Sequence, residues 1–170
     1  MVEYLDIVNE KDEVTGKDLK DNKKTKGFIS RTVAMFIADG DKLLITRRSP
    51  KKKNSPNKYD VAAFGNVKSG ETYEEAAMRE LKEELGIECD LKLVDRIFND
   101  FGEKRKYFTG VFLGSYSGNV ALSEETIELH KLTIPEIERE MENNIDLFCE
   151  GFIKDFNAVK DKLKSMVGNE

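Results

Sequence analysis

The sequence predicts an α/β fold, with helices layered on both faces of a sheet. Strand-like and helix-like segments are interspersed along the chain instead of falling into separate blocks, the arrangement that builds α/β/α layers. One sharply delimited helix sits near the middle of the chain and an amphipathic one near its end. With 170 residues, 39% of them hydrophobic, the chain is long enough to bury a core as a single domain. The expected organisation is an N-terminal strand and polar connector (1–27), a core (28–142) and a C-terminal amphipathic helix (143–170).

From the N-terminus, Glu3 to Asn9 alternates well enough for a short strand, and Glu10 to Glu13 reads as a turn. Lys17 to Lys26 is polar and lysine-rich, a surface connector with room for a helical turn or two. Thr32 to Ala38 (Thr-Val-Ala-Met-Phe-Ile-Ala) is a strand, and Asp39-Gly40-Asp41 is a hairpin signal leading into a second strand, Lys42 to Arg47. Ser49 to Lys58, with two prolines and a lysine run, is loop, and Tyr59 to Phe64 returns to strand. Thr72 to Leu85 is the best helix: Thr72 and Glu75 form a capping box, and Gly86 stands where a helix end needs a left-handed residue.

Leu91 to Phe98 and Tyr107 to Ser115 read as strands, with a second hairpin-like break at Tyr116-Ser117-Gly118-Asn119. Thr126 to Leu132 reads as a strand and Ile134 to Glu142 as a short helix. From Asp146 to Val167, Phe148, Phe152, Phe156, Val159, Leu163 and Met166 recur at three- and four-residue steps, a packing stripe. That stripe either closes the monomer or pairs two chains into a homodimer.

Composition narrows the chemistry. A single histidine, His130, excludes any site built on several imidazoles. Cys89 and Cys149 have no metal-type spacing and fit a reduced, cytoplasmic setting. Any metal must therefore be held mainly by oxygen, which favours Mg²⁺ or Mn²⁺. A net charge of -5 argues against a nucleic-acid scaffold. No apolar run approaches the roughly 20 residues of a membrane span, and Met1 to Asp6 lacks the basic start and apolar stretch of a signal peptide.

The chemistry lies in the stretch from Gly65 to Ile87. At about 100° per residue, Glu80, Glu83 and Glu84 share one helix face. Met78, Leu81 and Leu85 are expected on a core-facing side, while Ala76 and Ala77 flank the acidic strip and leave it room. Carboxylates at these spacings repel, and a hard divalent cation removes the conflict.

These residues carry a resemblance to the Nudix box, G-x5-E-x7-R-E-U-x-E-E-x-G-U with U aliphatic. Gly65, Glu71, Arg79, Glu80, Leu81, Glu83, Glu84, Gly86 and Ile87 fill every fixed position. The resemblance implies the Nudix fold, a mixed sheet sandwiched between helices. It also implies that Glu80, Glu83, Glu84 and the Gly65 carbonyl bind Mg²⁺ or Mn²⁺, while Glu71 and Arg79 pair to hold the loop against the helix. The implied reaction is cleavage of a small-molecule diphosphate by metal-activated water. A carboxylate takes the proton from that water: Glu84 for preference, or Glu125 or Glu128 from the segment Ser123 to Leu129.

Beyond the box, Glu3-Tyr-Leu-Asp-Ile-Val, Leu43-Leu-Ile-Thr-Arg-Arg48-Ser-Pro and Pro56-Asn-Lys-Tyr-Asp60-Val are similar to the isopentenyl-diphosphate isomerase subgroup of the family. By that similarity Arg48 and Lys52 match positions that grip a diphosphate, within a cationic run suited to phosphate. The isomerase's own machinery is missing. Phe64 stands in place of the catalytic cysteine, Asn66 and Ser30 in place of histidines, and the acidic pair falls near Arg105 and Tyr107. Hydrolysis is therefore the leading reading. A nucleotide-binding or sensor protein without turnover is the alternative, and isomerisation ranks behind both. Tyr59, Phe64, Phe98 and Phe101 are candidates to line a pocket.

Overall fold

The computed structural model describes residues 1–168; residues 169 and 170, the end of the expected C-terminal segment, lie outside the described residues. Strands β1 (Tyr4–Val8) and β2 (Val14–Leu19) form an antiparallel ribbon. A 3-10 turn (Lys20–Asn22) and one helical turn, α1 (Lys23–Lys26), lead into the main sheet. That sheet comprises β3 (Ser30–Asp39), β4 (Lys42–Arg48), β5 (Tyr59–Asp60), β6 (Ala63–Asn66), β7 (Leu91–Asp100), β8 (Lys106–Ser115) and β9 (Thr126–Thr133). The remaining helices are α2 (Tyr73–Leu85), α3 (Ile134–Asn144) and α4 (Glu150–Met166).

The sheet is mixed, as the resemblance implies: β3 runs parallel to β8 and antiparallel to β4 and β6. β3 is its centre because both of its faces are buried. Val33, Met35 and Ile37 pack with Ala76, Ala77, Leu81 and Leu85 of α2. Ala34, Phe36 and Ala38 pack with Ile137 and Met141 of α3 and with Phe152, Phe156, Val159 and Leu163 of α4. A strand covered on both sides reads as a nearly unbroken apolar run, and β3 does. The result is a helix–sheet–helix sandwich.

One irregularity positions the site. β3 meets β4 only at the hairpin end, through Ala38 with Leu43 and Asp39 with Lys42. Further along, β6 takes the place beside β3, pairing Thr32 to Met35 with Asn66 to Ala63, while β4 pairs with β5 and β9. The two central strands thus splay apart, and the chain between them turns toward α2.

Several expectations need correction. Val14 to Leu19 is a strand, although it overlaps the predicted polar connector; its side chains are mostly exposed, so no apolar alternation marks it, and backbone pairing with β1 holds it. Tyr59 to Phe64 is two strands, interrupted at Val61 and Ala62, which are buried. The break after Ser115 is no hairpin, because β9 crosses the sheet to pair with β4. The terminal helix begins at Glu150, and Phe148 precedes its N-cap, Cys149. On α2, Met78 is exposed, whereas Ala76 and Ala77 are fully buried. Their small size allows α2 to approach the sheet and does not make room for ions. Phe148, Phe152, Phe156, Val159 and Leu163 are buried within the core of the monomer, so packing inside the chain accounts for the stripe.

A buried polar string crosses the same core. Asn99 Nδ2 donates to Thr109 Oγ1 and to Asp155 Oδ1, each at 2.9 Å. Asp155 lies among the packing residues of α4, where burial pushes its pKa up to about 7.

Candidate active site

α2 is fixed at both ends. The Thr72 hydroxyl accepts from the Glu75 amide at 3.1 Å, and the Glu75 carboxylate accepts from the Thr72 amide at 2.8 Å, completing the predicted capping box. Gly86 closes the helix at φ 64°. Between these caps Glu80, Glu83 and Glu84 fall on one side.

Arg79 fastens the preceding loop to that face. Its Nε and Nη2 reach the two oxygens of Glu71 at 2.7 and 2.9 Å, and Nη2 also donates to the Asn66 carbonyl at 2.9 Å. Glu71 in turn accepts from the Lys68 amide at 2.8 Å. Burial pushes the Glu71 carboxyl up, but Arg79 and the Lys68 amide outweigh it and leave its pKa below the usual value. Arg79 Nη1 lies between Glu80 (2.6 Å) and Glu83 (3.4 Å), relieving part of their repulsion.

Gly65 sits directly beneath Glu80. A Cβ built there would overlap the Glu80 carboxylate, so only glycine leaves that carboxylate its place. Burial raises the Glu80 carboxyl despite Arg79. Glu84 is pushed up to about 8, first by burial and then by the negative neighbours Glu80, Asp60 and Glu125.

Glu84 opens on a narrow cleft lined also by Arg48, Lys52, Asp60, Phe64 and Glu125. The loop after β8 brings Glu125 there: the Ala121 and Ser123 amides donate to the Leu85 and Glu84 carbonyls at 3.0 and 3.1 Å, and the Ser49 amide donates to the Glu125 carbonyl at 2.8 Å. Lys52 Nζ pairs with the Glu125 carboxylate. Arg48 pairs with Asp60 at 3.3 Å and donates to the Asn54 carbonyl.

A family model for the NUDIX domain matches residues 29–148, most of the chain and all of this site. The chain belongs to the Nudix family. An uncharacterised Nudix hydrolase of Clostridium acetobutylicum is 29% identical, the match covering 99% of this chain and 88% of that protein. Another, from Nostoc, is 38% identical over 68% of each. A crystal structure from Deinococcus radiodurans superposes with a TM-score of 0.72 at 32% identity, covering 84% of this chain and 90% of its own.

Within this Nudix site the structure brings together Gly65, Glu71, Arg79, Glu80, Glu83 and Glu84, with Arg48, Lys52 and Glu125 at the cleft beside them. Glu128 is placed elsewhere: it pairs with Arg47 at 3.0 Å and His130 at 2.9 Å, on the β9 position opposite Arg47. Of the aromatic candidates, Phe64 lines the cleft. Tyr59 packs on His130 and Phe148, Phe98 on Phe108, and Phe101 on Tyr107.

Asp60 is the residue whose role sequence reasoning missed. It is 8% exposed, and burial raises its pKa against the pull of Arg48. Its sequence signals were its place in the Pro56-Asn-Lys-Tyr-Asp60-Val run, to which no role was attached, and an acid standing in the otherwise apolar stretch from Tyr59 to Phe64. Cys149 lies near Asp60; burial and that carboxylate push its thiol far up, so it remains protonated and is no substitute for an isomerase cysteine.

The donor set suits a hard cation, since every candidate ligand is an oxygen. The crowding of carboxylates around Glu84 is the kind of conflict that a dication offsets. Among the described residues, no three acidic, histidine or cysteine side chains yet converge at gripping distance. Among the same residues, no helix is long and apolar enough to cross a membrane.

Proposed function

We propose that this Nudix protein hydrolyses the anhydride of a nucleoside diphosphate derivative or related organic pyrophosphate, with Mg²⁺ or Mn²⁺ as its ion. The observation that carries this reading is the meeting of the box helix with two cations, Arg48 and Lys52, at one cleft. Glu80, Glu83, Glu84 and the Gly65 carbonyl would hold the metal. When bound, it supplies Lewis-acid polarisation of the phosphate and an acidified water.

The chain's own residues do the rest. Arg48 and Lys52 grip non-bridging oxygens and orient the diphosphate. Glu84 is the preferred proton acceptor, and Glu125, which shares its cleft, is the second candidate. Glu128, held between Arg47 and His130, is the weakest. Arg79 and Glu71 position the loop that carries Gly65.

Purified protein with Mg²⁺ or Mn²⁺ is to be incubated with nucleotide sugars, dinucleotides, nucleoside triphosphates and prenyl diphosphates. Turnover of at least one class is expected, falling by about 100-fold or more in E83Q and E84Q, as for loss of a group acting on the reacting centre. Tight binding without turnover across the panel would favour a sensor, and allylic rearrangement would favour an isomerase.

A further inference from the structure

The cleft at Glu84 shares Arg48, Asp60 and Phe64 with a chamber of about 530 Å³. Seven lysines and arginines line this chamber against two acids, Asp60 and Glu150. Arg48 is paired with Asp60 at 3.3 Å, Arg105 with Glu150 at 3.0 Å, and Lys20 with Glu3 at 2.7 Å. Among the described residues, Lys23, Lys24, Lys53 and Lys104 have no carboxylate at ion-pair distance.

Lys23 is the telling one. Among the described residues its ammonium meets the Ser30 hydroxyl and the face of the Tyr107 ring at 5.1 Å, both neutral groups. Burial pulls its pKa down to about 8. An ammonium withdrawn from water without a counter-ion is costly, and surface lysines ordinarily extend their heads to solvent.

A second cation is brought to the same rim by a backbone contact. Gly27 ends α1 at φ 70°, and a Cβ there would lie 2.9 Å from the Glu103 carbonyl oxygen and 3.4 Å from the Lys104 side chain. Glycine therefore lets the β7–β8 turn rest against α1, and Lys104 and Arg105 of that turn line the chamber together with Lys23. Phe64, Tyr107 and Phe152 supply apolar wall. A chamber of this size takes a whole small molecule.

We propose that this chamber holds a second anionic group of the substrate, a phosphate monoester remote from the diphosphate that is cut, gripped by Lys23, Lys104 and Arg105. Cationic donors arriving from different segments match the several oxygens of a phosphate, and its charge supplies what Lys23 lacks. The substrate class is then an organic diphosphate phosphorylated again at its far end. The diphosphate end rests on the hydrolase reading; the far end is tested separately.

Adenosine 3′,5′-bisphosphate and adenosine 5′-monophosphate contain no anhydride, so calorimetry reads their binding without turnover. The bisphosphate is expected to bind about tenfold tighter or more, the added charge-assisted contacts being worth at least that much. K23Q and K104Q should each erase most of that preference and leave the affinity for the monophosphate unchanged. K104Q alters an exposed side chain and decides the matter should K23Q fail to fold. Equal affinities, or a preference that survives K104Q, would overturn the proposal even if diphosphates are cut. A preference dependent on Lys104 with no diphosphate cut would uphold the chamber and sink only the hydrolase reading.

Discussion

Gly65 and Glu80 show how one missing side chain can set a site. The Glu80 carboxylate occupies the space a Cβ at position 65 would need, while the surrounding strand stays paired with β3. Gly65→Ala is therefore expected to displace Glu80 without unfolding the sheet. The Mn²⁺ concentration giving half-maximal activity should rise by about tenfold or more, as when a ligand loses its support. A metal titration of activity, run beside thermal unfolding, checks this; an unchanged requirement would mean that Glu80 does not bind the ion. Arg79 acts at the same scale, because its planar fork meets Glu71, Asn66 and Glu80 together, which a lysine's single ammonium would not.

Among the elements, the β1–β2 ribbon is anchored in part by one turn residue. Asp12 has a left-handed φ of 61°, and its side chain, 6% exposed, accepts from Arg31 at 2.6 Å, Tyr73 at 2.8 Å and Arg96 at 3.1 Å. The ribbon is thereby tied to β3, α2 and β7. Asn tolerates the same backbone but loses the charge, so Asp12→Asn isolates the side chain's contribution. A loss of about 1–3 kcal/mol is expected in urea unfolding, with ribbon amides exchanging faster. If stability is unchanged, the ribbon is held by its other ties, among them the buried Leu5 and Val8 and the hydrogen bond from Ser69 to Asp6 at 2.6 Å. Helix α2, in contrast, is secured by its own caps.

The whole molecule carries a built-in pH response through Asp155. Its carboxyl keeps its proton to about 7 in the folded protein, whereas in the unfolded chain it ionises near 4. Between those values the native state binds more protons, so this group's contribution makes stability fall as pH rises, by about 1 kcal/mol per pH unit. The contribution is fully present below about 4 and lost above about 7. Asp155→Asn should flatten that slope and raise Tm at pH 8, as read in thermal melts across the range; an unchanged slope would show that Asp155 is already ionised in the fold.

The sequence by itself determined α2 and the acidic face it carries. Its cap at Thr72, its stop at Gly86 and the shared face of Glu80, Glu83 and Glu84 follow from spacing within four residues, which helical geometry dictates wherever the helix lies. The strand β3 was legible for a related reason, since burial on both faces leaves an apolar run. Tertiary structure alone decided which distant groups joined the box. It joined Glu125 to Lys52, set Asp60 between cleft and chamber, broke the strand after Asp60, and drew Lys104 against Gly27. It also turned the stripe on α4 inward, into the core. These contacts span tens of residues and depend on strand order, splay and loop docking. No periodicity along the chain records such things, because the energy that fixes them arises only when separate elements pack.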